Sequence, residues 1–172
     1  PSGIEYSQTG MEATLRNFKI QGLLIDEIYM GDFFSIKPVP RFDLVISFGF
    51  IEHFDDPDSV IQRHLDWLKP GGKLVLGIPN FNGIYRPIQQ VLDPSLLDKH
   101  NLSIMNLAYF RGLENILPIS LNFLRYIGSF EPNLPIPKKK PYNVKQLLVK
   151  MFLSITSRIR KISYFDMLNH PL

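Results

Sequence analysis

The stretch that most constrains the fold is FDLVISFGFIEHFDDPDSVIQRHLDWLKPGGKLVLGIPN, residues 42–80. Phe42-Asp43-Leu44-Val45-Ile46-Ser47-Phe48 is a short, nearly continuous apolar run. Such a run suits a strand covered on both faces in a parallel sheet. Asp56-Pro57-Asp58 then supplies a side-chain acceptor, a proline preset for a first helical turn, and negative charge at the positive end of a helix dipole. Val60, Ile61, His64, Leu65 and Leu68 recur at helical spacing until Lys69-Pro70-Gly71-Gly72 stops the helix. Lys73-Leu74-Val75-Leu76-Gly77-Ile78 reads as a second buried strand, so the unit is strand, right-handed helical crossover and parallel strand.

Ligands of an open parallel sheet lie beyond the carboxyl ends of its strands. The loops to carry function are therefore 49–55, with Glu52 and His53, and 79–86, with Asn80, Asn82 and Tyr85. Earlier in the chain, Gly3 to Ser7 reads as a strand tip ending in an acidic side chain. A helix follows, with Thr9 and Glu12 spaced as a capping box, Met11, Leu15 and Phe18 on one face, and Gly22 as the stop. Leu23 to Met30 is a third strand that runs into Gly31-Asp32-Phe33-Phe34, and Pro38 and Pro40 break the chain before the central unit. The order is that of a doubly wound α/β fold.

A chain of 172 residues with 45% hydrophobic content and a mean hydropathy near zero can bury one sizeable core. One domain is expected over 1–172, with a cofactor-side core at 1–82 and an irregular helical cap for the substrate at 83–130. A proline-rich loop and an amphipathic helix make up 131–172. Leu121 to Ile127 reads as a further strand inside the cap region, and there is no internal repeat. In the last helix Val144, Leu147, Leu148, Met151, Phe152, Ile155, Ile159 and Ile162 share a stripe. Two readings of it stand: it covers the sheet, or, with its basic flanks, it makes weak contact with a membrane surface.

The net charge of +3 is too mild to argue for nucleic acid, and Lys138-Lys139-Lys140 lies in a loop without interleaved aromatics. No nucleic-acid partner is expected. Cysteine is absent, which excludes disulfides and thiolate metal sites. No apolar run reaches the roughly 20 residues of a membrane span, and the expected location is cytoplasmic. Pro1-Ser2-Gly3 enters a strand end directly and His170-Pro171-Leu172 follows a completed helix, so the fold is expected to be incomplete at both ends. The oligomeric state is open.

Together GIEYS, GDFF, FDLVISFGFIEHF with its Asp-Pro helix, LKPGGKLVLGIPNF and a later His-Asn pair resemble the class I S-adenosylmethionine-dependent methyltransferases, in particular their ubiquinone and small-molecule O-methyltransferase branch. The likeness is close over 3–82 and loose beyond. It implies a Rossmann-like, mostly parallel sheet and S-adenosyl-L-methionine as cofactor. Glu5 would accept hydrogen bonds from the ribose hydroxyls. Asp32 would take the adenine amino group, with Phe33 beside the base, and Ser47, Phe48 and Gly49 would pass the methionine part. Glu52 and His53 would face the transferable methyl, and Asn80, Tyr85 and His100 the substrate. The implied reaction is methyl transfer to a small molecule, at oxygen ahead of nitrogen or carbon.

Two features of the sequence depart from that family. Its glycine-rich loop between the first strand and first helix is not in these residues, which keeps a second reading alive: a methyltransferase-like scaffold or interaction domain that binds no cofactor. Gly49 stands where metal-binding members of the fold carry a further Glu, so Glu52-His53 has no third ligand in its loop and no metal is expected. His53 itself admits two roles, a general base at the ligand edge or a hydrogen-bonding group that orients the loop. Asp43, His64 and His170 are read as structural.

Overall fold

The computed structural model describes residues 1–128 and 141–160, and the chain divides into two compact units, Pro1–Arg41 and Phe42–Leu172. The first unit is β1 (Ser2–Glu5), α1 (Gln8–Ile20) and β2 (Glu27–Met30), with the strands parallel in register from Ser2 opposite Glu27 to Glu5 opposite Met30. The cap of α1 is Ser7, not a Thr9–Glu12 box. The Ser7 hydroxyl accepts from the Gly10 amide at 3.0 Å, because it sits three residues before the first free N–H that can reach it. Gly22 does end the helix, in the left-handed region at φ 64°. The third strand is shorter than expected: Leu23 and Leu24 remain exposed, and only Glu27–Met30 pairs. At the end of this unit Arg41 binds the Glu27 carboxylate at 3.2 Å.

In the second unit β3 (Phe42–Phe48) and β4 (Leu68–Gly77) pair in parallel, joined through a 3-10 turn at Ile51–His53 and α2 (Pro57–Leu65). Asp56 caps α2 by accepting from the Ser59 amide at 3.2 Å, as the Asp-Pro signal predicts. Leu68 belongs to β4 and not to the helix. It pairs with Phe42, and the ladder slips across Lys69-Pro70-Gly71-Gly72 before resuming at Lys73 opposite Leu44. Proline has no amide to give a ladder, and Gly71 turns left-handed at φ 79°, so this insertion is accommodated as an irregularity in the strand. The exposed Asp43 carboxylate receives Lys69 at 2.9 Å from within that irregularity.

Coverage of β3 on both faces is not what this unit shows. Leu44, Ile46 and Phe48 alternate as exposed residues, since α2 lies against one side of a two-stranded ladder. Buried apolar side chains are instead Ile51, Val60, Ile61 and Trp67 and also Leu97, Ile104, Met105 and Leu113. The last four come from the helical region: α3 (Tyr85–Leu92), α4 (Pro94–Asp98), a 3-10 turn at Leu102–Ile104, α5 (Leu107–Gly112) and a second 3-10 turn at Leu113–Asn115. No strand forms between Leu121 and Ile127. An extended segment there has no strand partner among the described residues, and the Leu121 amide instead donates to the Glu114 carboxylate at 2.6 Å. Tyr109 of α5 donates its hydroxyl to Asp58 of α2 at 2.6 Å, and burial together with that carboxylate pushes the phenol's pKa upward.

Helix α6 (Val144–Arg160) opens on a reciprocal cap. The Gln146 amide donates to the Asn143 side chain at 2.9 Å and the Asn143 amide donates back to the Gln146 side chain at 3.0 Å. It packs on α3, but not through the expected stripe: Leu153, wholly buried, meets Ile88 and Leu92 with Val149 beside it, and Gln146 donates to the Leu92 carbonyl at 3.1 Å, while Val144, Leu147, Leu148, Met151, Phe152 and Ile155 of the stripe stay exposed. The expected proline-rich loop with Lys138-Lys139-Lys140, and also Ile162 and His170, lie outside the described residues. No helix among the described residues is long and apolar enough to cross a membrane.

His64 tests this packing. Only 4% exposed, its Nδ1 lies 2.7 Å from the Val60 carbonyl and its ring stands edge-on to Phe50. Burial depresses its pKa below the ordinary 6.5, with the Val60 contact opposing in part. The unfolded chain therefore takes up a proton that the folded chain refuses. Stability is full above pH about 6.5 and falls as the pH drops toward the lowered folded value. Urea midpoints measured from pH 7.5 to 5 should decline for the native protein and decline less steeply for His64→Gln.

Candidate functional site

The loop after β3 begins with Gly49, whose left-handed backbone at φ 65° turns the chain while its amide still donates to the Gly77 carbonyl at 2.8 Å. The turn delivers Ile51 into the core and holds Glu52 and His53 at the strand's carboxyl end. Three hydrogen bonds tie this turn to the segment after α4. The Asn101 amide donates to the Glu52 carbonyl at 2.6 Å, the Asn101 side chain donates to the Phe54 carbonyl at 3.2 Å, and His53 Nδ1 meets the Lys99 carbonyl at 3.0 Å.

Those ties bring His100 to His53. Their ring centroids are 4.5 Å apart, Phe81 stands edge-on to His100 at 5.0 Å, and His100 Nδ1 is held 2.5 Å from the Leu96 carbonyl. A carbonyl only accepts, so each imidazole presents N–H at Nδ1 and keeps Nε2 for another partner. Glu52 lies against this pair. It is 1% exposed, its Oε1 is 4.0 Å from His53 Nε2, and its Oε2 is buried without a hydrogen-bond partner among the described residues. His53 and His100 line a cleft of about 670 Å³ whose walls also include Arg86, Gln90, Lys99 and Asn101.

The other expected substrate residues have different places. Asn80 accepts from the Asn82 amide at 3.0 Å and shapes the loop after β4, while Asn82 donates to the Leu102 and Met105 carbonyls at 3.1 and 3.0 Å. Tyr85 begins α3, but Arg86 and Gln90 are the α3 residues in the cleft wall. They are four apart and share a helix face, a signal present in the sequence and passed over in favour of the aromatic neighbour. Asn101, the principal tether, was visible only as a turn residue.

Of the residues expected at the cofactor, Ser47 sits in β3 opposite Leu76, and the Phe48 ring lies over Gly77, where a Cβ would come within 2.4 Å of it. Glu5, Asp32 and Phe33 belong to the first unit. Glu5 at the tip of β1 accepts from the Ser7 amide and hydroxyl at 2.9 and 3.1 Å, and these bonds hold its pKa below the ordinary value. Its carboxylate lies against Gly10, where a side chain would collide with it at 2.4 Å. Asp32 accepts from the Phe34 amide at 3.1 Å, and Phe33 packs edge-on to Phe34.

A parallel strand-helix-strand unit of this kind is consistent with a partial Rossmann-like methyltransferase fold. Residues 2–76 match the family described as methyltransferase domain. No curated protein matches the chain.

The carbonyl contacts make a direct spectroscopic prediction. Nitrogen-15 correlation spectra of the imidazoles above pH 7.5 should show His53 and His100 protonated at Nδ1, the minor form of free histidine. Nε2-protonated signals for both would contradict the orientation described.

Proposed function

We propose that the protein transfers a methyl group from S-adenosyl-L-methionine to an oxygen of a small molecule bound in the cleft beside His53 and His100. The observation that carries this reading is the methyltransferase-domain match over residues 2–76, a stretch whose loop after β3 includes His53 in the cleft wall. In the transfer, an acceptor oxygen attacks the sulfonium methyl in line, the carbon–sulfur bond breaks, and S-adenosylhomocysteine leaves as a neutral thioether. Little acid–base help is needed beyond removal of the hydroxyl proton, so alignment dominates. With Nδ1–H given to Lys99, His53 Nε2 is the basic nitrogen offered to that proton. The family likeness assigns Glu5 to the ribose, Asp32 and Phe33 to the adenine, and Ser47, Phe48 and Gly49 to the methionine part.

S-adenosylhomocysteine titrated calorimetrically into the protein should bind, and Glu5→Ala should weaken it about tenfold, the size of a lost hydrogen bond to a charged group. Absence of binding would turn the reading to the non-catalytic scaffold.

Membrane contact is proposed for α6 alone. Leu148, Met151, Phe152 and Ile155 remain 50–58% exposed after Leu153 is buried, with Lys145 and Lys150 on the same helix. Anionic vesicles should co-sediment the protein and lose it on Phe152→Glu; equal sedimentation of both would dismiss the contact.

A further inference from the structure

We propose that Glu52, His53 and His100 form a binding site for a divalent transition-metal ion of the zinc or cobalt kind, open on one side to the cleft. One donor atom from each of the three lies within 4.8 Å of the others. The sequence hides this set, because the third ligand comes from beyond α4 and not from the loop that holds the first two.

Proximity alone would not make a metal site; two further observations do. The first is the Glu52 carboxylate. A carboxylate removed from water and left with an unsatisfied oxygen is costly, and burial is tolerated where a cation or donor completes it. Glu52 is 1% exposed, its Oε2 has no hydrogen-bond partner among the described residues, and the imidazoles of His53 and His100 stand beside its carboxylate. The second is the orientation of those imidazoles. Both rings are held through Nδ1 by backbone carbonyls, of Lys99 and of Leu96, which leaves the Nε2 lone pairs for a ligand. Outer carbonyl contacts of this kind fix the tautomer and raise the basicity of metal-binding histidines.

The donors also select the ion. Magnesium and calcium favour sets made wholly of oxygen, whereas two imidazoles and a carboxylate suit zinc, cobalt or nickel. Around such an ion, with bonds near 2.1 Å, neighbouring donors stand roughly 3.4 Å apart. His53 Nε2 and Glu52 Oε1, now at 4.0 Å, reach that by a small side-chain rotation. Three protein ligands leave a coordination position for water or an exchangeable oxygen, the pattern of reactive rather than purely structural sites. Because His53 and His100 line the cleft, that position faces it. Where the methyl-transfer reading holds, the loaded site would replace His53 Nε2 as the group acting on the acceptor hydroxyl, the ion binding and acidifying it, a consequence that rests on that reading; the site itself does not.

The test is Co²⁺ titrated into chelator-treated protein and followed by visible absorption. About one equivalent should give ligand-field bands. Glu52→Gln and His100→Gln should each weaken binding on the order of tenfold or more, while Gln90→Ala, at the cleft wall, leaves it unchanged. Circular dichroism of the metal-free variants separates loss of a ligand from loss of fold. Added Zn²⁺ should displace Co²⁺ and shift the Nε2 resonances of His53 and His100 together. Featureless spectra, or affinities equal in the native protein and in folded Glu52→Gln and His100→Gln, would overturn the site. No cofactor is present, so that result and failure to bind S-adenosylhomocysteine are distinguishable.

Discussion

The candidate site depends on the hydrogen bonds that join the turn after β3 to the segment after α4. Two of the three come from Asn101 and one from the His53 ring on the Lys99 carbonyl, and every acceptor in this frame is a backbone carbonyl. Asn101 contributes at both levels, its amide to the Glu52 carbonyl and its side chain to the Phe54 carbonyl. Without that frame His53 and His100 would be two surface imidazoles on separate loops. With it they share a cleft and lean on one buried carboxylate. Two loops that were unrelated in the chain thereby become one chemical environment.

Much of the central unit was legible because local signals agreed. The apolar run at Phe42 to Phe48 and the Asp56-Pro57 start each specify backbone geometry over a few residues, and strand, helix and parallel strand follow; Lys69-Pro70-Gly71-Gly72, expected to stop the helix, instead lies within β4, α2 having ended at Leu65. Errors arose where a partner decides. Leu68 fits the helical stripe of α2 but is claimed by pairing with Phe42, and Leu121 to Ile127 has strand-forming residues without a neighbouring strand. The Ser7 cap was overlooked for a plausible box two residues later, because two competing hydroxyls cannot be ranked without the backbone.

The site was legible in its first half. Glu52 and His53 follow from the rule that ligands gather beyond strand ends, and their adjacency in sequence ensured they would be found together. His100 was identified as a substrate-side residue, but its contact with His53 is a matter of how α4 packs, which periodicity does not report. The same holds for the unsatisfied oxygen of Glu52: burial of a loop carboxylate is a tertiary property, invisible in a stretch that otherwise reads as polar loop.

Helix α3 has two neighbours of very different character. One side carries Ile88 and Leu92 against Leu153 of α6, and another carries Arg86 and Gln90 into the cleft. The width of the cleft is therefore set partly by a seam of aliphatic side chains that no ligand touches. Substitutions along that seam would re-space the wall as a spacer re-spaces a hinge, so that the shape of the cleft can drift through residues remote from it while His53 and His100 stay fixed.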